Sequence, residues 1–277
     1  MKVGLLVEIT ENCEQKLRHA KMLGFDTVQI ANWNMDFYTD ENLQFLKALI
    51  SELGLTVTDF WCGWSGPVDW KYPNNHKVLG LVPEKYRAQR LNDLKKGALF
   101  AYNLGVKSVI SHTGFIPDNP EAEGHIGVVN ALKELCGELK ERGQTFSFET
   151  GEELPVTLGI VIKKIGLDNV GINLDPANLI SDGRANPMDA LELFGKKVFC
   201  VHAKDALPPK FGEAGGKQVP IGEGKVDFEK LIRILKANGF DKNLIIEHEM
   251  YDRENRDQDI KNARIYLETL INKVYNY

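Results

Sequence analysis

The chain repeats one pattern eight times: a short apolar or β-branched run, then a segment with apolar residues at helical spacing. The eight runs are KVGLLVEI (2–9), DTVQIANW (26–33), TVTDFWCGW (56–64), KSVISHTGF (107–115), TFSFET (145–150), VGINLD (170–175), VFCVHAKD (198–205) and NLIIEHE (243–249). Strict alternation of strand and helix predicts right-handed βαβ units and a parallel sheet. Eight such units in 277 residues predict an α/β protein built as a single (β/α)8 TIM barrel, with its active site at the carboxyl ends of the strands.

The helical segments carry recognisable starts and stops. NLQFLKALISELGL (42–55) and FEKLIRILKANGF (228–240) have apolar residues at helical spacing, and each closes on a Gly that suits a helix C-terminus. Thr39 and Asn186, the latter followed by Pro, are predicted to cap the helices that follow them. These signals support helices between the strands.

The same pattern predicts a single TIM-barrel domain over residues 1–277. The main rival is an open doubly wound sheet, but no GxGxxG fingerprint follows the first run. Two long connections, about 65–85 and 206–226, follow the third and seventh runs and are predicted to cover the site. IGEGKVDF (221–228) is either a phosphate cradle or a glycine turn into a helix, and it lacks the GxxxxGK[ST] spacing.

Composition excludes several classes of function. A net charge of −5 argues against nucleic acid as a partner, because such binding needs a basic face. No stretch approaches the roughly 18 apolar residues of a membrane span, and MKVGLLVEIT is too short for a signal-peptide core. The four cysteines lack CxxC spacing, so reduced thiols and a cytoplasmic location are expected. The oligomeric state stays open, with a homo-oligomer among the alternatives.

Strong metal-binding side chains end four consecutive runs. They are Glu149, Asp175, His202 and Glu247, at the ends of the fifth to eighth runs. In a parallel barrel these ends ring one mouth, so the four side chains converge from one side. Taken singly, each is more simply explained as a helix cap, half of an ion pair or a hydrogen-bonded His. Together they indicate a metal site.

Electrostatics explains why these residue types belong together. Three unpaired carboxylates would repel one another and raise their pKa values, and a divalent cation removes that problem while supplying a Lewis acid. Mixed carboxylate and imidazole ligation suits Mn²⁺, Mg²⁺, Co²⁺ or Zn²⁺. We expect one divalent metal ion, with Mn²⁺ favoured.

Other side chains are expected at the same mouth as substrate contacts. His112 binds substrate or orients a ligand, unless it is a hydrogen-bonded barrel-end His. Glu153 contacts a substrate hydroxyl, unless it only favours the start of a helix. Lys204 holds an oxyanion, unless it pairs with its neighbour. Trp61 and Trp64 offer flat faces for the C–H faces of a sugar, with core packing as the alternative.

Seven motifs carry a resemblance to a known family. They are WCGWSGPVDW (61–70), SHTGFIP (111–117), FSFETGEE (146–153), VGINLDPANLI (170–180), VHAKDA (201–206), PIGEGKVDF (220–228) and LIIEHE (244–249). In this order they resemble the xylose isomerase-like TIM barrel superfamily, specifically its sugar phosphate isomerases/epimerases, related to D-tagatose 3-epimerase and endonuclease IV. The resemblance spans nearly the whole chain. It implies the (β/α)8 fold, one Mn²⁺- or Mg²⁺-type ion on the four residues above, and a small-molecule carbohydrate substrate.

The chain departs from two branches of that family. Ketose 3-epimerases carry Asp-x-x-His on the sixth strand and an Arg soon after the seventh-strand His. Here Asp175 is followed by Asn178, and no Arg occurs in the ten residues after His202. Asn178 therefore joins the predicted substrate-binding set, and the substrate is expected to differ from a free ketohexose. Endonuclease IV needs three zinc ions and many His ligands, which six histidines in total do not favour.

Three functions follow from these residues, in order of preference. The first is a divalent-metal-dependent sugar or sugar phosphate isomerase/epimerase that transfers a proton through an enediolate, with Glu149 and Glu247 as catalytic base and acid. The second is a metal-dependent dehydratase or lyase acting on a keto-sugar or keto-inositol. The third is a sugar-binding barrel without enzymatic activity.

Overall fold

Eight parallel strands close into a barrel in the computed structural model, which describes residues 1–9 and 12–275. Within these residues the strands are β1 (Lys2–Ile9), β2 (Thr27–Asn32), β3 (Thr56–Cys62), β4 (Ser108–Ser111), β5 (Thr145–Glu149), β6 (Val170–Leu174), β7 (Val198–Ala203), β8 (Asp205–Leu207), β9 (Lys217–Val219) and β10 (Asn243–Ile246). The order around the barrel is β1, β10, β7, β6, β5, β4, β3, β2, while β8 and β9 form a separate antiparallel hairpin. Each of the eight predicted runs contains one barrel strand, so the predicted (β/α)8 fold is confirmed.

Helices connect the strands along the outside of this barrel. In the described part of the chain they are α1 (Cys13–Met22), α2 (Asp40–Leu53), α3 (Asn75–Val78), α4 (Glu84–Leu104), α5 (Glu123–Glu141), α6 (Pro155–Ile165), α7 (Pro176–Ser181), α8 (Pro187–Phe194), α9 (Phe228–Ala237) and α10 (Arg256–Tyr275), with 3₁₀ turns at Met35–Phe37 and Gly195–Lys197. None of these helices is long and apolar enough to cross a membrane.

Local sequence signals place the helix ends. Thr39 Oγ1 accepts the N–H of Asn42 at the start of α2, and Asn186 Oδ1 accepts the N–H of Met188 at the start of α8. These bonds satisfy backbone donors that the first helical turn leaves without partners. Helix α2 ends at Gly54, whose left-handed φ of 61° suits a residue without a Cβ. The predicted caps are confirmed.

Polar side chains fill part of the barrel interior. Gln29 on β2 and His202 on β7 are both fully buried, and His202 Nε2 lies 2.7 Å from Gln29 Oε1. Since β2 and β7 are not neighbours in the barrel, this contact crosses its interior. Ser147 and Asn173 are also fully buried polar residues on barrel strands. The barrel interior therefore contains buried polar side chains as well as apolar ones.

Each of the two long connections is bound by a buried side chain that makes several hydrogen bonds to its backbone. The connection at 65–85 contains α3 and is held by Arg90 of α4, which is fully buried. The Arg90 guanidinium donates to the backbone carbonyls of Ser65, Pro67, Val78 and Gly80. The connection at 206–226 contains most of the β8–β9 hairpin and is held by Asp205, described below. Both connections leave the carboxyl end of a barrel strand.

Candidate metal centre and active site

The four predicted metal ligands meet at one end of the barrel. Each offers one ligand atom, and these atoms all lie within 4.8 Å of one another. His202 Nδ1 lies 3.2 Å from Glu149 Oε1, 3.3 Å from Glu247 Oε2 and 3.7 Å from Asp175 Oδ2. Three of the residues are buried and Glu247 is nearly so. The cluster fits a divalent metal ion.

Asp175 combines two roles that its position in the sequence left as alternatives. Its Oδ1 accepts the N–H groups of Ala177 and Asn178 and so caps helix α7. Its Oδ2 is buried without a hydrogen-bond partner and faces His202. One oxygen therefore fixes the carboxylate while the other is left for a cation.

His202 presents a specific ring nitrogen to the cluster. His202 Nε2 lies 2.7 Å from Gln29 Oε1 and 3.1 Å from Asn173 Nδ2. Because Gln29 Oε1 can only accept, the tautomer that satisfies it carries the proton on Nε2, and Nδ1 then presents its lone pair to the carboxylates. Burial lowers the pKa of His202, but the charges of Glu149 and Glu247 outweigh burial and raise that pKa well above 6.5. Without a cation these carboxylates favour the protonated ring, and a divalent ion would take the place of that proton. Gln29 carries no local sequence signal for this role.

Glu149 is oriented by donors from three directions. The indole N–H of Trp61 donates to Glu149 Oε2. Asn178 Nδ2 donates to Oε1 at 3.3 Å, and His112 Nε2 lies 3.4 Å from the same oxygen. Burial raises the pKa of Glu149, but His112 and His202 outweigh burial and hold it well below 4.5. The carboxylate is therefore ionised.

Glu247 continues from strand β10 and is held by Lys204. The Glu247 backbone N–H donates to the carbonyl of Ala203, so the barrel ladder extends as far as this ligand. Lys204 Nζ donates to Glu247 Oε2 at 2.8 Å, lies 3.6 Å from Asp175 Oδ2 and also contacts Glu249. Burial lowers the pKa of Lys204, but these carboxylates outweigh it and raise that pKa well above 10.5. Lys204 is a fixed cation beside the cluster.

The donor set meets the requirements of a hard or borderline divalent cation. Three carboxylates and one neutral imidazole are suitable ligands. Asp175 Oδ2 and His202 Nδ1 are buried without hydrogen-bond partners, which is costly unless something else satisfies them. A cation bound between them would satisfy both atoms.

A cavity of about 610 Å³ leads from this cluster to the surface. Its lining includes Leu6, Glu8, Ala31, Trp33, Trp61, Val68, Trp70, Asn75, His112, Glu149, Glu152, Asn178, Asp182, Lys204, Glu247, Glu249 and Tyr251. Of the predicted substrate contacts, Trp61, His112, Asn178 and Lys204 lie on this wall. Their roles toward a substrate stay predictions.

Two predicted substrate contacts lie outside this lining. Trp64 is buried, with its ring centroid 5.0 Å from that of Trp33, so it packs behind the wall. Glu153 is buried, and its Oε1 accepts the hydroxyl of Thr113 at 2.9 Å. Its neighbour Glu152 lines the cavity instead, because consecutive side chains after β5 point in different directions.

Further residues of the cavity wall follow from the structure rather than from the sequence. His112 Nδ1 lies 2.8 Å from Glu152 Oε2. Burial lowers the pKa of His112, but Glu152 and Glu149 outweigh it and raise that pKa well above 6.5. Asp182 also lines the cavity, and burial together with the charge of Glu152 raises its pKa to about 6. Trp70 lies within the motif WCGWSGPVDW, so the sequence offered a signal for its place in the cavity. No such motif contains Asp182.

The glycine turn after the hairpin is occupied by a side chain of the protein itself. Asp205 Oδ2 accepts the N–H groups of Gly222 and Gly224, and its Oδ1 accepts those of Ala206 and Val226. A Cβ on Gly224 would lie 2.0 Å from Asp205 Oδ1. Of the two readings of IGEGKVDF, the structure favours a glycine turn, since its backbone donors are already bound.

Comparison with known proteins identifies the family. Residues 17–270 match the family model described as xylose isomerase-like TIM barrel. The chain belongs to this family. The predicted resemblance is confirmed at the level of the family.

The chain is also similar to individual proteins. The chain is 27% identical to L-ribulose-5-phosphate 3-epimerase UlaE of Salmonella paratyphi A over 274 residues, covering 94% of this chain and 90% of the relative. A solved structure of a xylose isomerase domain protein from Planctomyces limnophilus is 29% identical, covers 99% of both chains and superposes with a TM-score of 0.93. A structure of L-ribulose 3-epimerase gives a TM-score of 0.76 at 16% identity, covering 100% of this chain and 96% of the other. That last likeness concerns the fold alone.

Proposed function

We propose that this barrel is a metal-dependent isomerase or epimerase that moves a proton next to the carbonyl group of a sugar. The observation that carries the proposal is the placement of Glu149 and Glu247, whose oxygens lie 3.2 Å and 3.3 Å from His202 Nδ1 within one ligand cluster. The name of the UlaE relative, an epimerase of a ketose phosphate, supports the same class of reaction.

The cluster residues would hold the ion, and Mn²⁺ is the proposed native metal. A bound divalent cation would act as a Lewis acid that stabilises negative charge on substrate oxygens. Glu149 and Asp175 are fixed by hydrogen bonds from Trp61 and from the start of α7, so they need little reorganisation on binding. This pre-ordering favours a defined site.

Glu149 and Glu247 are the proposed base and acid. Glu149 is ionised, because His112 and His202 hold its pKa well below 4.5, so it can accept a proton from the substrate carbon. Glu247 reaches the cluster from a different strand and would serve the opposite face of that carbon. Epimerisation needs two such groups, whereas a 1,2-shift can use one.

Substitution of each glutamate by glutamine tests this assignment. In Glu149→Gln and Glu247→Gln proteins that still fold and bind metal, we expect deuterium exchange from D₂O into a ketose to fall at least 100-fold. Mass spectrometry of the recovered sugar measures this exchange. Glu134→Gln, an exposed residue on α5, is the control and should exchange at the wild-type rate. Full exchange in both active-site variants would contradict the roles given to these residues.

A dehydratase or lyase reaction is the second candidate, and a specific pair of residues favours it. His112 and Glu152 lie 2.8 Å apart on the cavity wall, beside Glu149. The pair provides a further proton donor that could assist a departing hydroxyl group. Deuterium in recovered substrate or epimer with no unsaturated product supports the first candidate. A new enone absorbance supports the second.

A further inference from the structure

The cavity above the metal cluster carries an excess of negative charge. Among the described residues of its lining, six are carboxylates, while Lys204 is the single Lys or Arg. Lys204 Nζ already contacts Asp175, Glu247 and Glu249. No cationic side chain of this wall is therefore free to receive a phosphate group.

A bound metal ion does not reverse this balance. A divalent cation and Lys204 together bring three positive charges, which offset the three carboxylates of the cluster. Four lining carboxylates outside the cluster remain without a compensating metal charge. The remaining carboxylates are Glu8, Glu152, Asp182 and Glu249. A phosphate dianion in this space would meet net repulsion.

The backbone site where a barrel of this type can bind phosphate is also closed. Barrels often bind phosphate at the loops after the seventh and eighth strands. Here the N–H groups of Gly222, Gly224 and Val226 donate to Asp205 at 2.9 to 3.0 Å. A carboxylate of the chain occupies the donors that a phosphate would need.

Aromatic side chains also line this cavity. Trp70 lines the cavity and is 47% exposed, which places it toward the solvent side. The Trp70 ring centroid lies 5.1 Å from that of His112 and 6.3 Å from that of Trp33, so the aromatic wall continues from the cluster to the rim. Aromatic faces of this kind suit the C–H faces of a sugar ring. At about 610 Å³, the cavity has more room than one six-carbon sugar fills.

From these observations we infer that the substrate is an uncharged ketose bearing a second neutral sugar ring, which lies on Trp70, and is not a sugar phosphate. The inference rests on the proposed isomerase/epimerase function and narrows its substrate class. It also separates this chain from the relative whose name specifies a phosphorylated pentulose.

Two compounds with the same ketohexose test the inference directly. Isomaltulose carries a glucosyl group on O6 of fructose, and fructose 6-phosphate carries a phosphate on the same oxygen. With metal-loaded wild-type protein we expect isomaltulose to bind at least tenfold more tightly by calorimetry, and to exchange deuterium faster, than fructose 6-phosphate. Tighter or equal binding of fructose 6-phosphate, or no binding of isomaltulose, would overturn the inference.

A variant at the rim tests the position of the second ring. Trp70→Ala should weaken isomaltulose at least tenfold and fructose less than twofold. Tyr102→Ala is the control, because Tyr102 is 44% exposed near the C-terminal end of α4, at the opposite end of the barrel. Equal losses for both sugars with Trp70→Ala would contradict a ring bound at the rim.

The two proposals fail in different ways. If fructose 6-phosphate exchanges deuterium and isomaltulose does not, the proposed reaction stands and the substrate inference is wrong. If no deuterium enters any of the three sugars while isomaltulose binds more tightly than the phosphate, the substrate inference stands and the proposed reaction is wrong.

Discussion

His202 depends on a residue from the far side of the barrel. Gln29 accepts its Nε2–H and so directs Nδ1 at the carboxylates. In Gln29→Leu that acceptor is gone, and the ring loses its preferred tautomer and orientation. We expect metal affinity to fall about 10–100-fold, measured by calorimetric titration with Mn²⁺.

A buried glutamine elsewhere serves as the matched control for this change. Gln144 donates to the carbonyls of Ala98 and Val106 and lies outside the ligand cluster. Gln144→Leu should lower the free energy of unfolding while leaving metal affinity within twofold of wild type. Unchanged metal affinity in Gln29→Leu would show that Gln29 does not orient His202.

Glu153 makes the stability of the protein depend on pH. Burial and the charge of Glu152 raise the pKa of Glu153 to about 8 from its ordinary 4.5. The unfolded chain therefore releases this proton at lower pH than the folded chain, so the stability contributed by protonated Glu153 is lost as pH rises from about 4.5 to about 8. Glu153→Gln removes this dependence.

We expect the stability of Glu153→Gln, relative to that of the wild type, to increase as the pH rises. Relative to wild type, the free energy of unfolding of Glu153→Gln should rise by on the order of a few kcal/mol between pH 5 and pH 8. Denaturant titrations at both pH values measure it. Glu121→Gln, an exposed residue, is the control and should show a constant difference. A constant difference for Glu153→Gln as well would mean that the residue is ionised throughout this range.

At the scale of elements, one carboxylate binds the two ends of the connection between β7 and α9 to each other. Asp205 accepts four backbone N–H groups from residues 206, 222, 224 and 226. In Asp205→Ala these donors lose their partner and the turn loses its shape. We expect the free energy of unfolding to fall by about 2–4 kcal/mol, with faster proteolysis within 206–226.

A surface aspartate controls for loss of charge in that experiment. Asp241 lies exposed just before β10, and Asp241→Ala should leave both stability and the proteolytic pattern unchanged. Gly224→Ala should reproduce the Asp205→Ala result, because its new Cβ would meet the Asp205 carboxylate. Slow proteolysis of 206–226 in both turn variants would show that other contacts hold this connection.

The elements differ in how far the sequence could predict them. The barrel strands and helices follow from local apolar periodicity, and the ends of parallel strands must meet, so Glu149, Asp175, His202 and Glu247 were predictable as a group. Gln29 was not, because its partner is 173 positions away in the chain. The direction of a side chain after a strand is equally non-local, which is why Glu153 was predicted on the cavity wall where Glu152 lies.

At the scale of the whole molecule, charge is concentrated at one end of the barrel and is balanced there by few groups. The cluster brings three carboxylates together around His202, with Lys204 as the adjacent fixed cation. The buried positions of Glu149, Asp175 and His202 hold these side chains together in the structure. In the metal-free protein His202 and Lys204 are the positive groups that face these carboxylates, and a bound divalent ion would supply two further positive charges.

Metal binding is accordingly expected to stabilise the folded protein as a whole. At a Mn²⁺ concentration 100-fold above its Kd, the gain is about 2.7 kcal/mol, which corresponds to a rise in Tm of about 5–10 °C for a chain of this size. Differential scanning calorimetry of chelator-treated and metal-loaded protein measures the rise.

Asp175→Asn should abolish this metal-dependent rise in Tm, because a neutral amide replaces the carboxylate that faces His202. Asp93→Asn alters a buried carboxylate that accepts the N–H of Ser65, away from the cluster, so it should lower both Tm values and keep their difference. A metal-dependent rise that survives Asp175→Asn would place the ion elsewhere and remove the basis for the proposed reaction.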